Sequence, residues 1–143
     1  MARTAEAYAA LRADLELALE HVLSQYEDLE RTLRRAEADF DRADPMAWAA
    51  VGFMLHNLYN AIENYNRMGH EVPELRPALL PRDQLDPFHE LRSFRHTFRS
   101  LYDRKLDPRR VRLAAEYAVP AVDTLKAGHR RFVADLDELA RSL

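Results

Sequence analysis

Three arginines at helical spacing are the residues of this sequence best suited to hold phosphate. Arg92, Arg95 and Arg99 follow one another in steps of three and four, which places them along one face of a helix. A guanidinium group presents a planar set of donors that fits phosphate oxygens. Three aligned cations repel one another unless an anion joins them. The segment therefore predicts either contacts with RNA phosphates or surface arginines paired to acids such as Glu63.

The same region concentrates positive charge. Between Arg92 and Arg112 there are eight Arg or Lys residues against Asp103 and Asp107, a local balance of +6. The whole chain carries −3, so the remainder carries −9 (−3 minus +6). A basic segment on an acidic protein suits a local phosphate site better than broad electrostatic coating. The alternative is a solvated basic helix end followed by a loop.

The sequence lacks the residues that several other common catalytic and metal-binding sites require. The chain has no cysteine, which removes disulfides, thiolate catalysis and the usual structural zinc sites. It contains neither the Glu-x-x-His pairs of di-iron bundles nor the Gly-x-Ser-x-Gly turn of serine hydrolases. The histidines that could ligate metal are scattered along the chain: His56, His70, His89, His96 and His129. We therefore expect no metal and no cofactor.

Length and composition predict one globular domain over residues 1–143. Hydrophobic residues make up 48% of the chain, enough for a core, and charged residues make up 31%, which argues against a membrane protein. The longest apolar run, from Pro45 to Leu55, is shorter than the roughly 20 residues that span a bilayer. No signal peptide is visible at the start. A cytoplasmic protein without membrane contact is expected.

Hydrophobic periodicity predicts an all-α protein, a bundle of four to five helices. Stripes with steps of three and four residues indicate helices over 5–41, 45–68, 87–103 and 108–139. Three Asp-Pro pairs, at 44–45, 86–87 and 107–108, supply an N-cap followed by a favoured first helical residue. Gly69 is a plausible C-cap, and Pro120 should kink or break the last helix.

The third helix carries a family resemblance. Residues 95–102 place Arg95, a polar residue, then Ser100 and Tyr102 in the layout Arg-x4-His-x-Tyr, with serine where histidine is expected. This pattern resembles the HepT-type members of the HEPN ribonuclease superfamily. Residues 55–63, including Glu63, are similar to the second helix of that family. The resemblance covers about Val51 to Val111 well and the outer helices only by type.

The resemblance implies a HEPN-type helical bundle acting as a metal-independent endoribonuclease toxin. It implies a homodimer, an RNA substrate and a minimal nucleotidyltransferase antitoxin that attaches AMP to the tyrosine matched by Tyr102. In the family the arginine, here Arg95, holds the phosphate and the histidine moves protons. A serine hydroxyl cannot act as an ordinary base. The resemblance therefore leaves two expectations for this chain, an active ribonuclease or a relative that is catalytically impaired at Ser100. His96 is a possible substitute, and a polar group within a helix interface is its alternative role.

A second function from a different class stays open. The helical stripes also suit a non-catalytic dimerisation module that binds RNA or protein through its basic segment, and Ser100 favours this alternative. Tyr102 also has a structural alternative, as an amphipathic side chain with a packed ring and a wet hydroxyl at the end of the bundle.

Overall fold

The described residues form a bundle of four helices. The computed structural model describes residues 4–38, 40, 44–70, 86–100 and 107–143, with the side chains of α3 described from 87 to 94. The helices are α1 (Ala5–Ala38), α2 (Pro45–His70), α3 (Asp86–Ser100) and α4 (Pro108–Arg141). No strand occurs among these residues. The predicted all-α fold class is confirmed.

Two of the Asp-Pro pairs start helices in the expected way. The backbone N–H of Met46 donates to the Asp44 carboxylate at 3.0 Å, and the backbone N–H of Arg109 donates to Asp107 at 3.0 Å. Each bond satisfies a donor that the first turn of a helix leaves without a partner. The helices α2 and α4 therefore begin at the prolines, as predicted, and α3 begins at Asp86.

The helix ends differ from their predicted positions. α1 ends at Ala38, short of the predicted residue 41, and the Phe40 ring packs edge-on against Trp48 with ring centroids 5.5 Å apart. At the other end of α2 the helix continues to His70, so Gly69 lies inside the last turn. The predicted connection ran from His70 to Arg82, so its first residue belongs to α2 instead. Its residues 71–82 and residues 101–103 of the predicted third helix lie outside the described residues.

The predicted break at Pro120 is wrong. α4 runs from Pro108 to Arg141 with Pro120 inside it. Proline cannot donate the helical hydrogen bond to the carbonyl four residues earlier, at Glu116. Both Pro120 and Glu116 are exposed, so water can reach the carbonyl that lacks its helical donor. The loss of one helical hydrogen bond at Pro120 therefore does not end the helix.

The core is built around α2. This helix packs against each of the other three, and α1 and α4 also pack against each other. The stripe predicted on α2 is buried throughout: Val51, Leu55, Leu58, Ile62 and Tyr65 are all at most 1% exposed. Buried residues from all four helices form one cluster. Burying a large aliphatic or aromatic side chain contributes about 1.5–3 kcal/mol, so each residue of this stripe adds to the stability of the bundle.

Salt bridges between elements are few among the described residues and lie at the surface. The Arg12 guanidinium donates to both carboxylate oxygens of Asp137 at 2.7 Å, which joins α1 to the last turns of α4. The two side chains are 42% and 38% exposed. Exposed pairs are worth about 0–1 kcal/mol, so this pair aligns the helices more than it stabilises them.

A buried hydrogen bond joins α2 to α4. The Tyr65 hydroxyl lies 2.6 Å from Nδ1 of His129, and the residues are 0% and 9% exposed. Burial lowers the pKa of His129; the nearby Glu16 carboxylate opposes this shift and Arg12 adds to it. Burial also raises the pKa of Tyr65. The pair is therefore a neutral phenol hydrogen-bonded to a neutral imidazole, and the tautomer of His129 decides which of the two donates.

This pair makes stability depend on pH. The folded state resists protonating His129, whereas the unfolded chain takes up a proton below its pKa of about 6.5. Its contribution is thus fully present above pH 6.5 and is lost as pH falls towards the folded pKa. We expect a slope of up to about 1.4 kcal/mol per pH unit in that window. Urea unfolding from pH 7 to 5 measures it.

The control is an exposed histidine of α1. His129→Gln should flatten the pH dependence over this range, whereas His21→Gln should leave it unchanged. Identical pH profiles for the two variants would contradict the assignment to His129.

Candidate functional site

The third helix is held in place by its inner face. Phe88 and Leu91 are 8% and 1% exposed, and the half-buried Phe94 packs against the same core. α3 packs against both α2 and α4. A helix of 15 residues is only marginally stable alone in water, so these contacts stabilise it and set its orientation. The predicted apolar stripe of this helix is confirmed for the side chains that the structure describes.

The candidate site residues occupy the second half of α3. Arg92 is exposed. The predicted residues Arg95, His96, Arg99 and Ser100 lie in helical backbone, and their side chains are outside the described part of the chain.

Helical register separates the two residues of the motif. Position 95 lies one turn after the buried Leu91, about 40° round an ideal helix, whereas position 100 lies about 180° round. The two positions are thus about 140° apart. A regular helix in one protomer does not bring them together on one face, and contact between them would need a distorted helix end or a second protomer.

The start of α4 adds exposed positive charge. Arg109 and Arg110 are exposed in its first turn, which contains no acidic residue. Cations at a helix N-terminus oppose the helix dipole at a cost of about 0.3–1 kcal/mol each. The helix does not need them for stability, so they remain available to an anion.

Arg112, the last cation of the basic segment, has a structural role. Its guanidinium donates to Glu37 at 3.1 Å and lies 5.0 Å from the centroid of the Phe40 ring. These contacts join the start of α4 to the end of α1. Arg112 is therefore paired to an acid within the fold, which differs from both interpretations of the basic segment, a phosphate site or a solvated helix end.

The ends of α3 and α4 that carry positive charge are close in the chain. Seven residue steps separate Ser100 from Asp107, a span of at most about 25 Å. Tyr102 belongs to this connection, and its predicted role lies outside the described residues. The candidate phosphate site is therefore the end of the α3–α4 pair at which α3 finishes and α4 begins.

Glu63, the predicted supporting acid, is exposed on α2. It lines a shallow surface cleft with Asn60, Asn66 and Arg67. α2 packs against α3. The pairing of Glu63 with an arginine of α3 stays a prediction, because the side chains of Arg95 and Arg99 lie outside the described residues.

Sequence reasoning missed a second polar feature, on the outer side of α2. Asn57, Asn60 and Asn64 line a cleft of about 390 Å³ together with His21 and Gln25 of α1. The Asn60 amide nitrogen lies 3.2 Å from Nε2 of His56. Asparagines spaced three and four residues apart on one helix were the signal that would have revealed it.

Two further observations concern the described residues alone. No three His, Asp or Glu side chains among them come together as a metal site would require. None of the described helices is long and apolar enough to cross a membrane.

The docking of α3 generates a stability prediction. Leu91→Ala should lower the free energy of unfolding by about 2–5 kcal/mol, because it leaves a cavity between α3 and the core. The exposed neighbour Arg92→Ala is the matched control and should change it by less than about 0.5 kcal/mol. Chemical denaturation measures both. Equal effects would show that α3 is not held through Leu91.

Comparison with known proteins identifies the family. Residues 65–136 match the family described as HepT-like protein, a stretch of 72 residues (65 through 136) in a chain of 143. The match begins at Tyr65 in α2 and includes all of α3 and most of α4. No curated protein and no solved structure matches the chain significantly. Glu63 lies just before the matched range, and residues 95–102 lie within it. The chain therefore belongs to the HepT-like protein family, in the HEPN group.

Proposed function

We propose that residues 1–143 form a single HEPN-type domain that binds RNA at the α3–α4 end as a toxin-type protein. The observation that carries this proposal is the position of residues 95–102 inside the matched range, because residues 95–100 of this motif lie on α3, a helix held in place by buried Phe88 and Leu91. The exposed Arg109 and Arg110 support it, because they add charge where the fold does not need it. The activity is metal-independent endoribonuclease chemistry, impaired at Ser100.

The proposed reaction needs a phosphate holder and a proton carrier. Arg95 binds the phosphate, with Arg92 and Arg99 adding charge. A base removes the proton of the ribose 2′-hydroxyl, this oxygen attacks the phosphorus, and the 5′-oxygen leaves with a proton. An imidazole titrating near pH 6.5 serves both proton transfers. The Ser100 hydroxyl serves neither, and loss of such a group costs about 10²–10⁴-fold in rate. The chain with Ser100 therefore binds RNA in a salt-dependent way and cuts it little.

Restoring the imidazole tests the proposal. Ser100→His should raise RNA cleavage by roughly two decades or more, and Arg95→Ala added to it should abolish the gain. Arg34→Ala, an exposed arginine on α1, is the control for charge removal and should leave the gain intact. The measurement is cleavage of a mixed RNA pool with a chelator present, on proteins whose helical content has been checked by circular dichroism.

Two results would contradict the proposal. Strong Arg95-dependent cleavage by the unmodified chain would move the proton-transfer role to His96. A folded Ser100→His protein that cuts no RNA would remove the catalytic part of the proposal.

The family pairing supplies a proposed partner. A minimal nucleotidyltransferase antitoxin would transfer AMP from ATP to the Tyr102 hydroxyl and release pyrophosphate. Residue 102 follows the arginines of α3, so an added phosphate would place negative charge beside the cations that bind RNA. Modification at this position would therefore weaken RNA binding.

Mass spectrometry after incubation with such an enzyme and ATP tests this pairing. Tyr102→Phe should block the first AMP addition, because phenylalanine lacks the attacking hydroxyl. Tyr117→Phe, on half-buried Tyr117 of α4, is the matched control and should be modified like the unaltered chain. An adduct located on any residue other than Tyr102 would remove this assignment.

Ser100 itself favours a second candidate function, a non-catalytic module that binds RNA or protein. This candidate predicts RNA binding that is lost with the α3 arginines, and no cleavage by either the unmodified chain or the Ser100→His variant. The cleavage assay of Ser100→His therefore separates the two functions.

A further inference from the structure

One exposed arginine near the start of α4 is held in place by its neighbours. The Arg112 guanidinium donates through Nε to Glu37 at 3.1 Å and lies over the Phe40 ring, 5.0 Å from its centroid. The Phe40 ring makes an edge-on contact with the buried Trp48. We call Glu37, Phe40, Trp48 and Arg112 the arginine stack. A long side chain that is already ordered has less conformational entropy to lose when a ligand binds.

The arginine stack is open on one side. The Arg112 side chain is 46% exposed although one face of its guanidinium lies over Phe40, so solvent reaches the opposite face. A guanidinium plane is one of the surfaces on which proteins stack unpaired nucleobases. The aromatic ring behind the guanidinium adds a cation–π contact that holds it in position. The open face of Arg112 therefore has the chemistry of a stacking surface.

The charges around Arg112 favour a base over a phosphate at this position. The Glu37 carboxylate offsets the charge of the guanidinium and would repel a phosphate brought beside it. Stacking tolerates this, because it depends on the planar surface of the base. Arg109, in contrast, is exposed in the first turn of α4, which contains no acidic residue. Residues three apart on a helix have Cβ atoms about 5–6 Å apart, a separation that suits the base and the phosphate of one nucleotide.

The arginine stack lies beside the candidate phosphate site. Arg112 follows Pro108, the first residue of α4, by four residues, about 6 Å along the helix axis. The arginine motif on the second half of α3 is followed by this same start of α4. An RNA strand held here by its phosphates would place neighbouring bases at the stack.

We propose that the arginine stack is a nucleobase subsite, in which one unpaired base stacks on the open face of Arg112 while Arg109 holds the adjoining phosphate. The inference rests on the proposed function in taking RNA as the source of the base. Purines should bind better than pyrimidines, because a larger ring covers more of the guanidinium plane and stacks more strongly. Arg112 binds and positions the RNA and takes no part in proton transfer.

Two oligonucleotide probes with equal numbers of phosphates test the subsite. Oligo(A) should bind the unmodified chain about tenfold or more tightly than an abasic oligomer, the usual scale for one stacked base. Anisotropy of labelled oligomers measures both affinities. Trp48 is the single tryptophan of the chain and contacts Phe40. Its fluorescence, excited where adenine does not absorb, should therefore change when oligo(A) binds.

A lysine substitution separates stacking from charge. Arg112→Lys keeps the positive charge but removes the planar group, so the preference for oligo(A) should disappear while the affinity for the abasic oligomer stays the same. Arg110→Lys is the matched control, because Arg110 is exposed at the start of the same helix but lies about 160° round it from Arg112. This variant should keep the preference. Circular dichroism checks that both variants are folded.

The outcomes separate this inference from the proposed function. Equal affinity for the two oligomers, or a preference for oligo(A) that survives Arg112→Lys, overturns the subsite even if Ser100→His cuts RNA. A preference that Arg112→Lys removes and Arg110→Lys keeps supports the subsite even if Ser100→His cuts none.

Two further results concern the source of the base. AMP is the probe for a free nucleotide, and AMP that binds more tightly than oligo(A) would overturn RNA as the source. An unmodified chain that binds neither oligomer would overturn the proposed RNA binding and the subsite together.

Discussion

The burial of α2 is the constraint on which the other helices depend. Trp48, Leu58 and Tyr65 are each 0% exposed, and this helix packs against α1, α3 and α4. Because α3 is too short to persist alone, its position depends on the surface that α2 and α4 present to it. The orientation of the arginine-bearing helix is therefore determined by apolar contacts that have no part in chemistry.

This arrangement separates stability from function along each helix. In α3 the residues that hold the helix are Phe88, Leu91 and Phe94, and the exposed Arg92 lies outside that stripe. At the start of α4, Arg112 is engaged with Glu37, whereas Arg109 and Arg110 lie exposed where the helix dipole disfavours them.

Sequence reasoning succeeded where the signal is local. The apolar stripe of α2 and the Asp-Pro starts of α2 and α4 follow from periodicity and capping, which need only near neighbours in the chain. Of the kink or break that it allowed at Pro120, the break does not occur, because water can reach the exposed Glu116 carbonyl that the proline leaves without a helical donor. The Tyr65–His129 pair and the Asn60 cleft depend on which helices become neighbours. The site motif came from resemblance, and spacing alone does not join positions 95 and 100.

The contact of Arg12 with Asp137 has a consequence for how the chain folds during synthesis. These residues are 125 positions apart, and α1 packs against α4 as well as α2. Ribosomes add about 5–20 residues per second, so roughly 6–25 seconds pass between the two. During that time α1 can pair with α2, but its apolar side towards α4 stays uncovered. The nascent chain thus carries an open hydrophobic seam, a surface that ribosome-bound chaperones are suited to cover, until its last helix arrives.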